Sequence, residues 1–291
     1  MMVNLAPGAN RNAVRQILQE TSAAALNLAS PGHVSTGEWV TRYVEFVTTT
    51  GNVLRNQITP ADIHRLLWTN RYQVLVTKTG LLATDEQHPG INGLLSAELQ
   101  DLRDAFDVAH KELNDKIMSW RATYAYVALD SSAYINGPKL EEFQFAKILD
   151  RIPDKQFRLL VPMAVVDELD NLKQHSKQHH RWRASYTTAV LARVLSGDPT
   201  WPGQLHDDDP RVTVELLLDP PGHTRLPITD DEIVDRLVHA QALAGEPITL
   251  ITYDTGQDLR ARAAGLKSHR LRNAVEDEDE PEQQDRRKAR A

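Results

Sequence analysis

Apolar residues recur at helical spacing through the first 120 residues, then give way after Tyr124 to short strand-like runs. Val14, Ile17, Leu18, Thr21, Ala25 and Leu28 share one helix face. Ser35 or Thr36 can cap a second helix whose face is Trp39, Val40, Tyr43, Val44 and Val47. Thr59, Pro60 and Asp62 form a good helix start, with proline at the first helical position and an acid in the first turn. Leu95, Leu99, Leu102, Phe106, Ala109, Leu113 and Ile117 mark one long amphipathic helix with a continuous seam. Trp39 and Phe106 read as core.

From Tyr124 the pattern alternates. Tyr124–Leu129 is a strand, and Leu140, Phe143, Ile148 and Leu149 mark a helix. Strand 157–161 leads to Pro162, which opens a helix over 163–173, and a basic helical segment follows over 181–195. Residues 197–210 are rich in breakers and predict a loop. Strand 211–218, helix 228–243, strand 247–252 and helix 256–266 complete the series, with a last short strand near 269–271. Such alternation predicts a mainly parallel sheet with helices on both faces. The expected organisation is an all-α region over 1–120, an α/β domain over 121–273 and a charged tail over 274–291.

Composition narrows the class. Hydrophobic residues make up 41% and charged residues 25% of the 291 positions, the balance of a soluble globular chain. No apolar run is long enough to span a bilayer, and residues 1–14 lack the basic and apolar regions of a secretory signal. The absence of cysteine excludes disulfides, thiolate catalysis and zinc–sulfur sites, and fits a reducing compartment; a cytoplasmic protein with no membrane partner is expected. A formal net charge of −7 argues against a globally basic nucleic-acid binder but not against an enzyme acting on nucleic acid. Part of that acidity lies in the tail, where residues 276–285 read EDEDEPEQQD ahead of a basic RRKAR, and block charge of this kind predicts disorder.

Four carboxylates stand out against this pattern. Asp130 and Asp254 each follow a β-rich run, which aims them at the carboxyl rim of a parallel sheet, where active sites of such folds lie. Taken singly, each is as well explained as a turn or helix cap. Glu168 shares the apolar face of its helix with Val165 and Leu172, whereas Asp167 and Asp170 are rotated away. Asp235 lies on the face of Val238 and Ala242, whereas Asp230, Asp231 and Glu232 read as first-turn acids favoured by the helix dipole. Carboxylates on packing faces are costly without a positive partner, and a hard divalent cation suits a set of oxygen ligands.

The ordered set resembles the PIN-domain nucleases. Asp130-Ser131-Ser132 after a strand is similar to the family's first motif, and Val165-Val166-Asp167-Glu168-Leu169 to the second. The helix from Asp235 to Leu243 is similar to the third, and Ile251-Thr252-Tyr253-Asp254 to the fourth. The resemblance spans residues 124–272, and its finer grain is similar to PIN domains fused to PhoH-like ATPases. Here no ATPase follows and a helical region precedes. Asp258 departs from the pattern by standing where an apolar residue is usual. The resemblance implies a three-layer α/β/α domain and an Mg²⁺- or Mn²⁺-dependent endoribonuclease that leaves 5′-phosphate ends. Asp130, Glu168, Asp235 and Asp254 would be its metal-binding and catalytic residues, Asp254 the least certain of them. Ser132 and Thr252 would orient the ligands through hydrogen bonds.

A nuclease must also hold a polyanion. Lys173, Lys177, Arg181 and Arg183 cluster after Glu168 with Trp182 among them, so Lys173, Arg181 and Arg183 are the candidate RNA-binding cations. The bland alternative is a solvated helix face. His175, His179 and His180 lack the pattern of a zinc site and fit a solvated or RNA-contacting role better. Two other functions remain open at this level: a catalytically silent RNA- or protein-binding module, and a nuclease for DNA or structured nucleic acid. The helical region is expected to serve self-association or a regulatory protein partner.

Overall fold

The computed structural model describes residues 3–30, 32–78, 88–120, 123–149, 156–198 and 201–272. The charged tail expected over 274–291 lies outside the described residues. The chain divides into two compact units, Met1–Trp120 and Arg121–Ala291.

The first unit holds α1 (Arg11–Leu28), α2 (Thr36–Leu54), α3 (Pro60–Leu67), α4 (Asn70–Lys78) and α5 (Pro89–Ser119). Side-chain caps begin three of them: Asn10 accepts from the Asn12 and Ala13 amides, Ser35 from Glu38, and Thr59 from Asp62. Leu95, Leu99, Leu102, Phe106, Ala109, Leu113 and Ile117 are all buried along α5, which packs against α1. Glu98 interrupts that seam as a buried acid, and accepts hydrogen bonds from Tyr43 Oη at 3.1 Å and Thr69 Oγ1 at 2.5 Å. A buried carboxylate needs such partners.

The second unit is an α/β fold around a six-stranded sheet of order β3-β4-β2-β1-β5-β6. Its strands are β1 (Tyr124–Leu129), β2 (Gln156–Pro162), β3 (Gly203–Gln204), β4 (Val212–Leu217), β5 (Thr249–Thr252) and β6 (Lys267–Arg270). All neighbours pair in parallel except the edge strand β3. β1 sits at the centre, with Val127 opposite both Leu159 of β2 and Thr249 of β5. Its last four residues are buried, as a central parallel strand requires. The helices are α6 (Ser131–Asn136), α7 (Phe145–Ile148), α8 (Met163–Leu172), α9 (Gln178–Val194), α10 (Thr229–Ala244) and α11 (Thr255–Ala263). Gly245 ends α10 in the left-handed region at φ 64°, where the lack of a Cβ removes the steric cost.

The sequence pattern departs from the structure between β1 and β2. One helix over Leu140 to Leu149 was the expectation; instead α6 starts directly after Asp130, a 3₁₀ turn covers Leu140–Glu142, and α7 is a single turn. Gly137 and Pro138 break the path, and six residues of α6 are too few to show a period. Among the described residues no helix is long and apolar enough to cross a membrane.

Candidate active site

Four elements bring carboxylates toward the carboxyl end of the sheet: β1, α8, α10 and the junction of β5 with α11. Asp130 ends β1 and is 4% exposed. Its Oδ1 accepts from the Ala133 amide at 2.9 Å and from Ser132 Oγ at 2.8 Å, and its Oδ2 accepts from the Thr252 hydroxyl. Asp130 therefore caps α6 while lying at the end of the central strand, and the one placement does not exclude the other. Burial raises its pKa to about 6 against the pull of those hydrogen bonds, and the Glu168 carboxylate adds to the rise.

Ser132 and Thr252 stitch the ends of β1 and β5 together. Their hydroxyls lie 3.3 Å apart, Ser132 Oγ accepts from the Tyr253 amide at 3.0 Å, and Thr252 Oγ1 accepts from the Asp254 amide at 2.8 Å. Asp254 is exposed and caps α11, its Oδ1 accepting from the Gln257 amide at 3.0 Å. A Cβ at Gly256 would stand 3.0 Å from that same oxygen, so the glycine leaves Asp254 its position. Asp258 is buried and paired with Arg262 at 2.6 Å, away from the role of a free acid.

Glu168 on α8 is half-buried and takes a hydrogen bond from the Ser131 side chain, while its Oε2 is buried with no protein partner. Burial raises its pKa, and the Asp230 carboxylate raises it further. Its neighbours behave as their helical positions predict: Asp167 pairs with Arg225, and Asp170 with Lys173 at 2.6 Å.

Asp230 is the residue that sequence reasoning missed. It lies in the first turn of α10, and burial raises its pKa; Arg260 works against that rise while Asp254 and Asp231 add to it. It thus shares its surroundings with Glu168 and Asp254. Asp235 is five residues farther on, about 7.5 Å along the axis and rotated by about 140°. There Asp235 faces His239, whose Nδ1 lies 3.4 Å from Oδ2. Electrostatic influence links Asp130 to Glu168, Glu168 to Asp230 and Asp230 to Asp254, whereas Asp235 is placed beside His239. Only the first turn of α10 joins that series, and the run Asp230-Asp231-Glu232 was the signal available in the sequence.

The loop ahead of α10 is tied down by a second polar cluster. Glu232 is 1% exposed, and its Oε1 lies 2.7 Å from His223 Nε2 while its Oε2 accepts from the Leu226 amide at 2.8 Å. Arg225 donates to Asp219 at 2.7 Å and also to Asp167 of α8. One ligand-type atom from each of Asp219, His223 and Glu232 falls within 4.8 Å of the others, a spacing open to a metal ion; His223 and Glu232 are joined by a hydrogen bond, while Asp219 Oδ1 is buried without a partner. These contacts fix the start of α10, and with it Asp230.

Compared with known families, residues 127–272 match the PIN domain, which is just over half of the 291 residues. The chain belongs to the PIN domain family. No curated protein matches it significantly. PIN domains are generally metal-dependent nucleases, so membership supports a hydrolase. The rim of this PIN domain fits such an ion: an all-oxygen carboxylate set, mutually raised pKa values and one buried Glu168 oxygen without a partner.

The candidate cations of this PIN domain have protein partners. Arg183 is 3% exposed, and its guanidinium donates to the carbonyls of Tyr134, Gly137 and Pro138 at 2.6–2.9 Å. Arg181 donates to the carbonyls of His175 and Ser176 at 2.8 and 2.9 Å. Lys173 pairs with Asp170 on the surface. Arg183 is accordingly a structural clamp on the end of α6. Burial and local carbonyls, which a basic helical segment does not announce, account for the places of Arg183 and Arg181.

Proposed function

We propose that the chain is a metal-dependent endoribonuclease that hydrolyses phosphodiester bonds of single-stranded RNA. The observation that carries the reading is the linked set Asp130, Glu168 and Asp230, each with a raised pKa from burial, at the end of the central strand. Asp254 completes the rim. In this reading Asp230 takes the place that the sequence motif gave to Asp235.

Asp130, Glu168, Asp230 and Asp254 would hold Mg²⁺ or Mn²⁺, which would supply positive charge for the phosphate oxygens and for activating water. Ser132 and Thr252 fix the Asp130 carboxylate through three hydroxyl contacts and keep both oxygens aimed at the rim. Arg260 restrains the first turn of α10, its Nε lying 2.8 Å from Asp231 and its Nη1 3.5 Å from Asp230. Products with 5′-phosphate ends and a cytoplasmic setting belong to the same proposal, as does a role for the helical unit in choosing RNA targets or protein partners.

Purified protein with Mn²⁺ and an end-labelled single-stranded RNA provides the test, beside Asp130→Asn. Cleavage by the wild type, reduced at least about 100-fold in the variant, is the expected result. Equal cleavage by both would sink the acidic site. No cleavage of any RNA by either would favour a silent binding module, and preference for single-stranded DNA would change the substrate.

A further inference from the structure

The residues of α9 that approach the acidic rim present rings more than available charge. We infer that they form a stacking platform for the bases of a single-stranded nucleic acid, so that the strand is held beside the active site mainly by its bases. The inference rests on the nuclease reading for its substrate, though not for its geometry.

His179, Trp182 and Tyr186 follow one another at spacings of three and four on α9, which places them on one face. Their ring centroids are 6.3 Å and 6.0 Å apart, with planes tilted by 49° and 35°. His175, three residues before that helix, stacks on His180 in its first turn at 4.6 Å and 18°. All five rings are neither buried nor fully exposed, so each keeps part of its surface toward solvent. Free-standing helical rings could be packing alone, but these are indexed to the site. His179 Nε2 lies 3.2 Å from the carbonyl oxygen of Ile135, on the α6 helix that Asp130 caps. Arg183 clamps the end of that helix, and its guanidinium lies 5.7 Å from the centre of the Trp182 ring, which fixes the indole from its buried side. Tyr253, beside Asp254, is half-exposed and feels the Arg183 charge, which continues the line of rings toward the acids.

The cations nearby argue for the same mode. Lys173 is paired with an aspartate and Arg183 is buried, which leaves Arg181, held by two carbonyls, and the exposed Lys177 to meet at most about two phosphates. A strand crossing this face meets π surfaces that accept any base, and a duplex, whose bases are covered, does not. Stacking is worth about 1–3 kcal/mol per base, whereas each neutralised phosphate adds about −0.7 to the salt slope of single-strand binding.

The test measures binding by fluorescence anisotropy with Ca²⁺ present, using a labelled ten-residue oligoadenylate, an abasic strand of the same length, and a duplex. The oligoadenylate is expected to bind at least about 10-fold more tightly than the abasic strand or the duplex. Its log–log salt slope is expected to be shallower than about −1.5. Trp182→Ala is expected to weaken oligoadenylate binding about 10-fold and to leave the abasic strand unaffected, and Trp182→Phe to restore most of the loss. Circular dichroism of each variant guards against misfolding, and Tyr186→Ala gives an independent second reading. Abasic binding within threefold of oligoadenylate, an Ala variant within twofold of wild type, or no binding of any strand overturns the platform. Cleavage of RNA that accompanies any of these leaves the nuclease reading standing. Base-dependent binding without cleavage under Mn²⁺ does the reverse.

Discussion

Asp130 is held in a place that disfavours its own charge. Its pKa of about 6 stands above the ordinary aspartate value of 3.8, so the folded chain retains a proton that the unfolded chain releases. The stability from that proton is complete below about pH 3.8 and is lost as pH rises through about 6. In EDTA the wild type is therefore expected to lose up to about 3 kcal/mol from this group between pH 4 and pH 7.5. Asp130→Asn should flatten that part of the profile in thermal melts, and Mn²⁺ should restore stability to the wild type alone. Unchanged pH profiles for the two proteins would contradict it. The neighbouring residues divide as sharply. Asp230→Ala is expected to lower RNA cleavage at least about 100-fold, and Asp235→Ala to leave it within about threefold, because the latter faces His239 rather than the rim. Kinetics on one labelled substrate checks both, and the reverse ranking would reinstate the original third motif.

At the scale of elements, the sequence disclosed what periodicity can carry. Glu168 was legible because only one residue of its acidic trio shares the apolar face of α8, and Asp254 because it ends a strand. The place of Asp230 beside Glu168 was illegible because a first-turn acid has a sufficient local explanation, and its position depends on where the helix end meets the sheet. The short α6 and the buried Arg183 were hidden for similar reasons, one too brief to show a period and the other satisfied by carbonyls distant in sequence. A third hidden feature joins β2 to β4. Arg158 and Glu215, 4% and 2% exposed, pair at 3.1 Å, and the Tyr124 ring lies 4.4 Å from the guanidinium. Two charges inside parallel strands contradict the apolar pattern yet satisfy each other. Glu215→Ala should cost about 3–5 kcal/mol by stranding the arginine, while the double change Arg158→Met with Glu215→Leu should cost far less. Urea denaturation distinguishes the two, and equal losses would deny the coupling.

For the whole molecule, each unit has its own buried core, Val14 to Trp120 in one and Tyr126 to Leu266 in the other. A chain lacking residues 1–120 is expected to melt in one transition raised by Mn²⁺ and to keep cleaving RNA, with altered target choice or assembly state. Unchanged choice and assembly would remove the proposed role of the helical unit. The sheet order carries a further consequence. β1 comes first in the sequence of the α/β unit but occupies the centre, and one of its two partners, β5, starts at Thr249, 122 residues after the Val127 it pairs with, so no local hairpin joins them. One of the two hydroxyls that hold Asp130 comes from Thr252, at a separation of 122 residues. Contacts of such separation form late, since loop closure precedes their reward. During synthesis the first acid therefore waits, held only by Ser132 and the Ala133 amide, until β5 has left the ribosome, and a chain cut short before Thr249 would carry most of the PIN domain's sequence with its sheet still open.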